Sequence, residues 1–175
     1  IHQTLSLLLA QLTLRPAHRE HLRSPKRGLS DEQIESLGFK STPPPFLCRS
    51  ITDRLIKQGC RVQGVPGFYR DDSGHWTMAF YKKTSGILIP AIGFDGRLQG
   101  FQIMLDVPLK HKDDPPEKPG AKYIWFSSSS KTDGTGSGSP VHLIGDPSAR
   151  VVYVIEGLLK ADISHCLTGR TFAAI

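Results

Sequence analysis

The sequence predicts an α+β protein, helical over residues 1–60, built of antiparallel strands over 61–150, and opening a new α/β unit over 151–175. Three observations carry that expectation. Apolar residues recur at helical spacing only in the first third, as Leu5, Leu8, Leu9 and Leu12. After Gly64-Val65-Pro66-Gly67, short runs rich in aromatic and β-branched residues alternate with turn residues. Near the C-terminus, five β-branched or aromatic residues from Val151 to Ile155 meet Glu156-Gly157. The helical composition of Leu158-Leu159-Lys160-Ala161-Asp162 follows, so a strand–turn–helix junction is expected there.

In chain order, the leucine spacing predicts an amphipathic helix of about three turns. From Arg15 to Arg27 five cations (Arg15, Arg19, Arg23, Lys26, Arg27) face one acid, Glu20, with His18 and His21 between them. That run reads either as a solvated helix face or as a phosphate-binding surface. The two histidines have no nearby carboxylate or cysteine in sequence, so no metal site is expected on them. Ser30-Asp31-Glu32-Gln33 is a capping box with acids in the first turn, which predicts a short helix from Asp31 to about Leu37, stopped by Gly38. Pro43-Pro44-Pro45 reads as a stiff extended connector. Ser50-Ile51-Thr52-Asp53 reads as a second capped helix start, with Gly59 as its C-terminal glycine.

The strand candidates are Trp76–Tyr81, Ile87–Ile92, Leu98–Leu105 and Val141–Ile144, with a further one beginning at Thr171. Phe94-Asp95-Gly96-Arg97 has the composition of a hairpin turn. Pro90 argues for an edge or a bulge, because proline has no N–H for a strand ladder. His111 to Gly120 reads as a polar, proline-rich exposed loop. The Ser/Gly-rich stretch from Ser127 to Pro140 reads as a flexible loop or, alternatively, as a backbone cradle for phosphate with Lys131 as counter-charge; it lacks the P-loop spacing.

With 38% hydrophobic residues in 175, the chain has enough apolar material for a real core. Lys and Arg (22) outnumber Asp and Glu (16), giving a formal charge of +6. This balance favours a polyanionic partner. Cys48, Cys60 and Cys166 form no C-x-x-C pair, so neither a disulfide framework nor a zinc site is expected. A reduced cytoplasmic setting follows. The apolar run from Leu5 to Leu14 is too short for a membrane span, and no membrane partner is expected. Because the chain begins at Ile1 and stops at Ile175 inside a strand candidate, a piece of a longer protein is expected.

Glu156 stands at the predicted C-terminal tip of a strand, where α/β sheets gather their ligands. It reads as a helix-capping acid or as a metal ligand or general acid/base. The string Val154-Ile155-Glu156-Gly157-x-x-x-Ala161 resembles the opening motif of TOPRIM domains. Arg27-Gly28-Leu29-Ser30, Gly86-Ile87-Leu88-Ile89-Pro90 with Asp95-Gly96-Arg97, and Lys122-Tyr123 resemble, in the same order, landmarks of the DnaG-type primase catalytic core. Four further strings bring the chain closer to a primase-related domain of unknown function from bacterial mobile elements. They are Gly64-Val65-Pro66-Gly67-Phe68-Tyr69, Lys122-Tyr123-x-Trp125-x-Ser127-Ser128, Gly138-Ser139-Pro140-Val141-His142 and Glu156-Gly157-x-Leu159-Lys160-Ala161-Asp162.

The resemblance implies a primase-like N-terminal subdomain over 1–150 and a truncated TOPRIM start over 151–175. It implies binding of single-stranded DNA and ribonucleotides for RNA primer synthesis in plasmid, phage or mobile-element replication, with a replicative helicase as a possible partner or fused neighbour. Nucleotidyl transfer would belong to the full-length primase, the fragment alone being inactive. Glu156 is then the catalytic and metal-ligating carboxylate, holding Mg2+ or Mn2+ only together with acids beyond Ile175. Lys122, Lys160, Arg97, Arg27 and Lys131 are the nucleic-acid or nucleotide contacts. Two departures stand out. Lys160 occupies a position where such primases carry a carboxylate, and Met104 stands where relatives carry arginine. A TOPRIM nuclease or topoisomerase relative, and a nucleic-acid-binding module without catalysis, remain as alternative readings.

Overall fold

The computed structural model describes residues 1–110, 115 and 117–175. Its centre is a four-stranded antiparallel sheet in the order β1-β4-β5-β6, formed by Lys40–Ser41, Gly86–Ile92, Leu98–Leu109 and Ala121–Trp125. Alternation along β4 sends Leu88 to one face and Ile87, Ile89 and Ala91 to the other, which is the two-residue period of a strand with both faces covered.

The first face is covered by α1 (His2–Ala10), α4 (Cys48–Lys57) and the hairpin of β2 (Phe68–Arg70) and β3 (Trp76–Met78). Leu5, Leu8, Leu12, Ile51 and Leu55 supply the helical side of that core. Phe126 is its hub: its ring stacks on Phe80 with centroids 4.3 Å apart and meets Phe68 edge-on at 6.2 Å. The opposite face is covered by Leu22 of α2 (Pro16–Arg23), Ile34 of α3 (Asp31–Ser36) and Leu158, Leu159 and Ala161 of α5 (Leu158–Thr168). A second sheet, in the order β7-β9-β8, joins His142–Ile144, Phe172–Ala174 and Tyr153–Ile155. Within it β8 and β9 run parallel on either side of α5 in sequence, the geometry a crossover helix produces.

Several expectations hold. Both capping-box bonds are made: Gln33 N–H donates to Ser30 Oγ at 3.2 Å and Ser30 N–H to Gln33 Oε1 at 2.9 Å. The 94–97 turn closes the β4–β5 hairpin, with Gly93 N–H donating to Arg97 O at 2.9 Å. Pro90 lies beside a β-bulge at Ala91/Ile92 and beyond the two residues that β1 pairs with β4.

Others are corrected. The helix expected from Ser50 begins at Cys48, because a 3-10 turn over Pro45–Leu47 runs directly into it. The run from Trp76 stays a strand only to Met78, and β5 extends to Leu109. The run from Val151 is not a fully buried strand. Its paired part starts at Tyr153, it has β9 as a neighbour on one side, and Val151 and Val154 are 62% and 70% exposed. β-branched residues favour extended backbone, but burial of a strand depends on neighbours remote in sequence. The stretch 127–135 is a bonded turn. Ser128 Oγ donates to Phe68 O at 2.7 Å and accepts from Thr135 N–H at 2.9 Å, while Lys131 N–H donates to Ser128 O. The expected loop at His111 to Gly120 falls largely on residues outside those described.

Candidate nucleic-acid interface

Glu156 directly follows β8, and Gly157 then turns the chain into α5 with φ +90 and ψ 130, a conformation open to glycine and strained for other residues. α5 has no acid in its first turn and no side-chain cap. Its leading N–H groups, together with Lys160, therefore present positive potential. Glu156 and Lys160 line one cavity of about 260 Å3 with Gln102, Tyr123, Gly157, Leu159 and Ile175. Among the described residues neither charge has an ion-pair partner. The expected helix-capping role of Glu156 is not realised by a bond, since the residue precedes the cap position.

A divalent hard cation needs several oxygen ligands. The described residues contain no cluster of three His, Cys, Asp or Glu able to hold a metal, and the other charged residue lining the Glu156 cavity is a cation. The residues present therefore do not fit a divalent metal by themselves.

Tyr123 connects this cavity to a basic surface. Its ring lines the cavity, while its hydroxyl donates to Met104 Sδ at 3.5 Å. Arg27 Nη2 approaches the same sulfur at 3.7 Å. An adjoining hollow of about 370 Å3 is lined by Met104, Lys122, His18, His21 and Asp106. Burial, and then the charges of Arg27 and Lys122, push the His21 imidazole below its ordinary value. Those cations therefore share one neighbourhood, and Lys122 has no ion-pair partner among the described residues.

Arg27, Lys122, Tyr123, Lys160 and Glu156 thus lie along one surface, whereas Arg97 and Lys131 lie elsewhere. Arg97 pairs with Asp95 at 3.8 Å in the hairpin turn. The Lys131 ammonium sits 5.8 Å from the ring centroids of both Tyr69 and Tyr81.

The run from Arg15 to Arg23 is largely consumed within the fold. Arg19 pairs with Asp31 at 2.7 Å, Arg23 with Glu20 at 3.3 Å, and Arg15 with Asp106 at 3.1 Å. The absence of a carboxylate near His18 in sequence was misleading, since β5 brings Asp106 Oδ1 to 2.7 Å from His18 Nε2. Ser41 Oγ accepts from Arg15 N–H and lies 2.8 Å from His18 Nδ1. A carboxylate oxygen only accepts, so the Asp106 contact puts the ring hydrogen on Nε2 and leaves Nδ1 to accept from the Ser41 hydroxyl. Burial holds the imidazole below its ordinary pKa, against the opposing pull of Asp106.

A second pair is invisible in the spacing of the sequence. His142 and Asp162 are 3% and 2% exposed and lie 2.9 Å apart, Nε2 to Oδ1. Ile92 N–H donates to His142 Nδ1 at 3.0 Å. With Nδ1 accepting, Nε2 carries the ring hydrogen and donates it to Asp162. The one signal in sequence was the presence of both residues in the quoted motif strings.

No family model matches the chain, and no curated protein matches it. Solved primase cores share its fold. The RNA polymerase domain of Mycobacterium tuberculosis primase DnaG superposes with a TM-score of 0.60 at 19% identity, over 98% of this chain and 55% of that one. A DnaG primase catalytic domain bound to single-stranded DNA superposes at 0.55 and 19% identity, over 99% and 52%. The Aquifex aeolicus primase, solved with its zinc-binding and RNA polymerase domains, superposes at 0.63 and 14% identity, over 99% and 41%. The chain has the mixed α+β fold of a DnaG primase catalytic core and spans about half the length of those structures. Among the described residues no helix is long and apolar enough to cross a membrane.

Proposed function

We propose that this chain is part of a DNA primase-like protein and that its described portion binds single-stranded DNA and ribonucleotides along the strip from Arg27 through Lys122 and Tyr123 to Lys160. The observation that carries the reading is the position of Tyr123, which joins the Glu156–Lys160 cavity to the hollow lined by Lys122 through Met104. An aromatic wall beside unpaired cations suits a single strand, whose bases stack and whose phosphates attract positive charge. The DnaG fold and a solved relative bound to single-stranded DNA support the same reading.

Primer synthesis is proposed for the whole protein, with Glu156 as one acid of its reaction centre and 151–175 as the opening of a TOPRIM unit. Arg97 and Lys131 would touch a longer strand outside the strip. The setting in plasmid, phage or mobile-element replication rests on the motif strings alone. A binding module without catalysis is the second reading, favoured by Lys160 where a carboxylate is expected and by the lack of another acid in the Glu156 cavity.

Titration of the chain with labelled oligothymidylate tests the proposal. Affinity should fall log-linearly as salt rises, because bound phosphates release counterions. No affinity at low salt, or affinity indifferent to salt, overturns it.

A further inference from the structure

We propose that Asp162 is a positioning residue of this surface: through His142 it latches α5 to the bulged end of β4 and thereby fixes where Glu156 and Lys160 stand. The inference rests on the reading of those two residues given under the proposed function.

The β8–α5 turn is tied to β9 by backbone bonds, Gly157 N–H to Ile175 O at 3.0 Å and Ile175 N–H to Ile155 O at 3.2 Å, but these leave the rotation of α5 unset. β8 pairs with β9 along one edge and is largely exposed. α5 rests on the large sheet through Leu158, Leu159 and Ala161, which pack in one cluster with Ile89 and Ala91. Apolar contact is non-directional, so it holds a helix down without fixing its rotation. A hydrogen bond from a buried imidazole to a side chain in the second turn does fix it. The imidazole is itself pinned, because Ile92 N–H at the bulge donates to its Nδ1. Bulges commonly re-aim groups in this way. The chain Ile92 N–H to His142 to Asp162 thus runs from β4 through β7 into α5, one turn beyond Gly157 and two residues from Lys160.

The polar pair is costly where it lies, since burial of an acid beside apolar side chains favours simple hydrophobic replacement unless orientation is at stake. Asp162→Asn keeps an acceptor for His142 Nε2–H, whereas Asp162→Leu keeps the branched outline of the side chain, favours the helix more than aspartate does and breaks the latch. Amide hydrogen exchange at Gly157 and Ala161, read beside that at Ile103 in the sheet, measures the outcome. In Asp162→Leu the exchange at Gly157 and Ala161 should rise about tenfold, the scale of one lost buried hydrogen bond, with Ile103 unchanged. In Asp162→Asn it should stay at the parental rate. Should the leucine variant fail to fold, Asp162→Ala carries the same comparison.

Oligothymidylate binding supplies the second readout. Lys160→Ala should weaken binding in the parent and have no further effect in the Asp162→Leu background, while Lys122→Ala weakens both. Unchanged exchange at Gly157 and Ala161, or exchange rising equally at Ile103, overturns the latch. If Lys160→Ala is silent in both backgrounds while exchange still rises locally, the latch stands and the assignment of Lys160 to nucleic acid falls.

Discussion

Tyr123 donates its hydroxyl hydrogen to Met104 Sδ across 3.5 Å, and Arg27 Nη2 meets the same sulfur at 3.7 Å. A thioether accepts only weakly, so this hub orients the ring and the guanidinium without neutralising the cation. Positive charge survives on the strip where Met104 replaces the arginine expected from the resemblance, because Arg27 and Lys122 border the same spot.

Lys122→Ala should lower affinity for single-stranded DNA by about 1 kcal/mol, the scale of one charge-assisted contact to phosphate. The salt slope should drop by about 0.7, the share of one phosphate on a single strand. Fluorescence anisotropy at several salt concentrations measures both. Equal binding by variant and parent would make Lys122 a solvated surface lysine.

Glu156→Gln keeps the size of the side chain and removes its charge. In the natural full-length protein it should abolish primer synthesis on a single-stranded template while leaving the melting temperature within experimental error. Binding of oligothymidylate should hold or rise, since a negative charge leaves the cavity that Lys160 shares. An active Glu156→Gln protein would remove Glu156 from the reaction centre.

Stability should fall as pH drops below about 6.5, and His18 should be one cause. Its folded pKa lies below the ordinary 6.5 because the imidazole is buried. The unfolded chain therefore takes up a proton first, and each step down through 6.5 toward the folded value favours unfolding. Asp106 adds a later loss. Burial alone would raise its pKa, but bonds from Ser85 and His18 outweigh that and lower it, so its stabilising share persists above 3.8 and goes as pH falls through the lower folded value. Thermal melts from pH 7.5 to 5 should show the decline, with a shallower slope in His18→Gln. An identical slope in that variant would clear His18.

Gly67→Ala should cost more than about 3 kcal/mol, combining strain at φ +84 with an added Cβ driven into the Phe126 ring. The ring has no easy retreat, being stacked on Phe80 at 4.3 Å. A melting temperature close to the parent's would show that the aromatic cluster yields more readily than its packing implies.

Local signals in the sequence were strong where one short segment decides its own conformation. Ser30 and Gln33 close a capping box that needs no other part of the chain, and Gly96 turns a hairpin between two runs whose alternation specifies both faces of a sheet. The strand–Glu156-Gly157–helix junction was legible for the same reason, as was the likeness to a primase core carried by motifs in fixed order. The tertiary structure alone decided which of these residues meet. Asp106 of β5 reaches His18 of α2, and Asp162 of α5 reaches His142 of β7, only because a strand and a helix far apart in sequence lie side by side, and no periodicity encodes such a pairing. The same holds for exposure: five β-branched or aromatic residues from Val151 to Ile155 ensure an extended backbone, but whether that strand is covered depends on neighbours, and here β9 pairs along one edge. It also holds for charge. Five cations between Arg15 and Arg27 looked equivalent in sequence, until Asp31, Glu20 and Asp106 took Arg19, Arg23 and Arg15 into ion pairs and left Arg27 beside Met104.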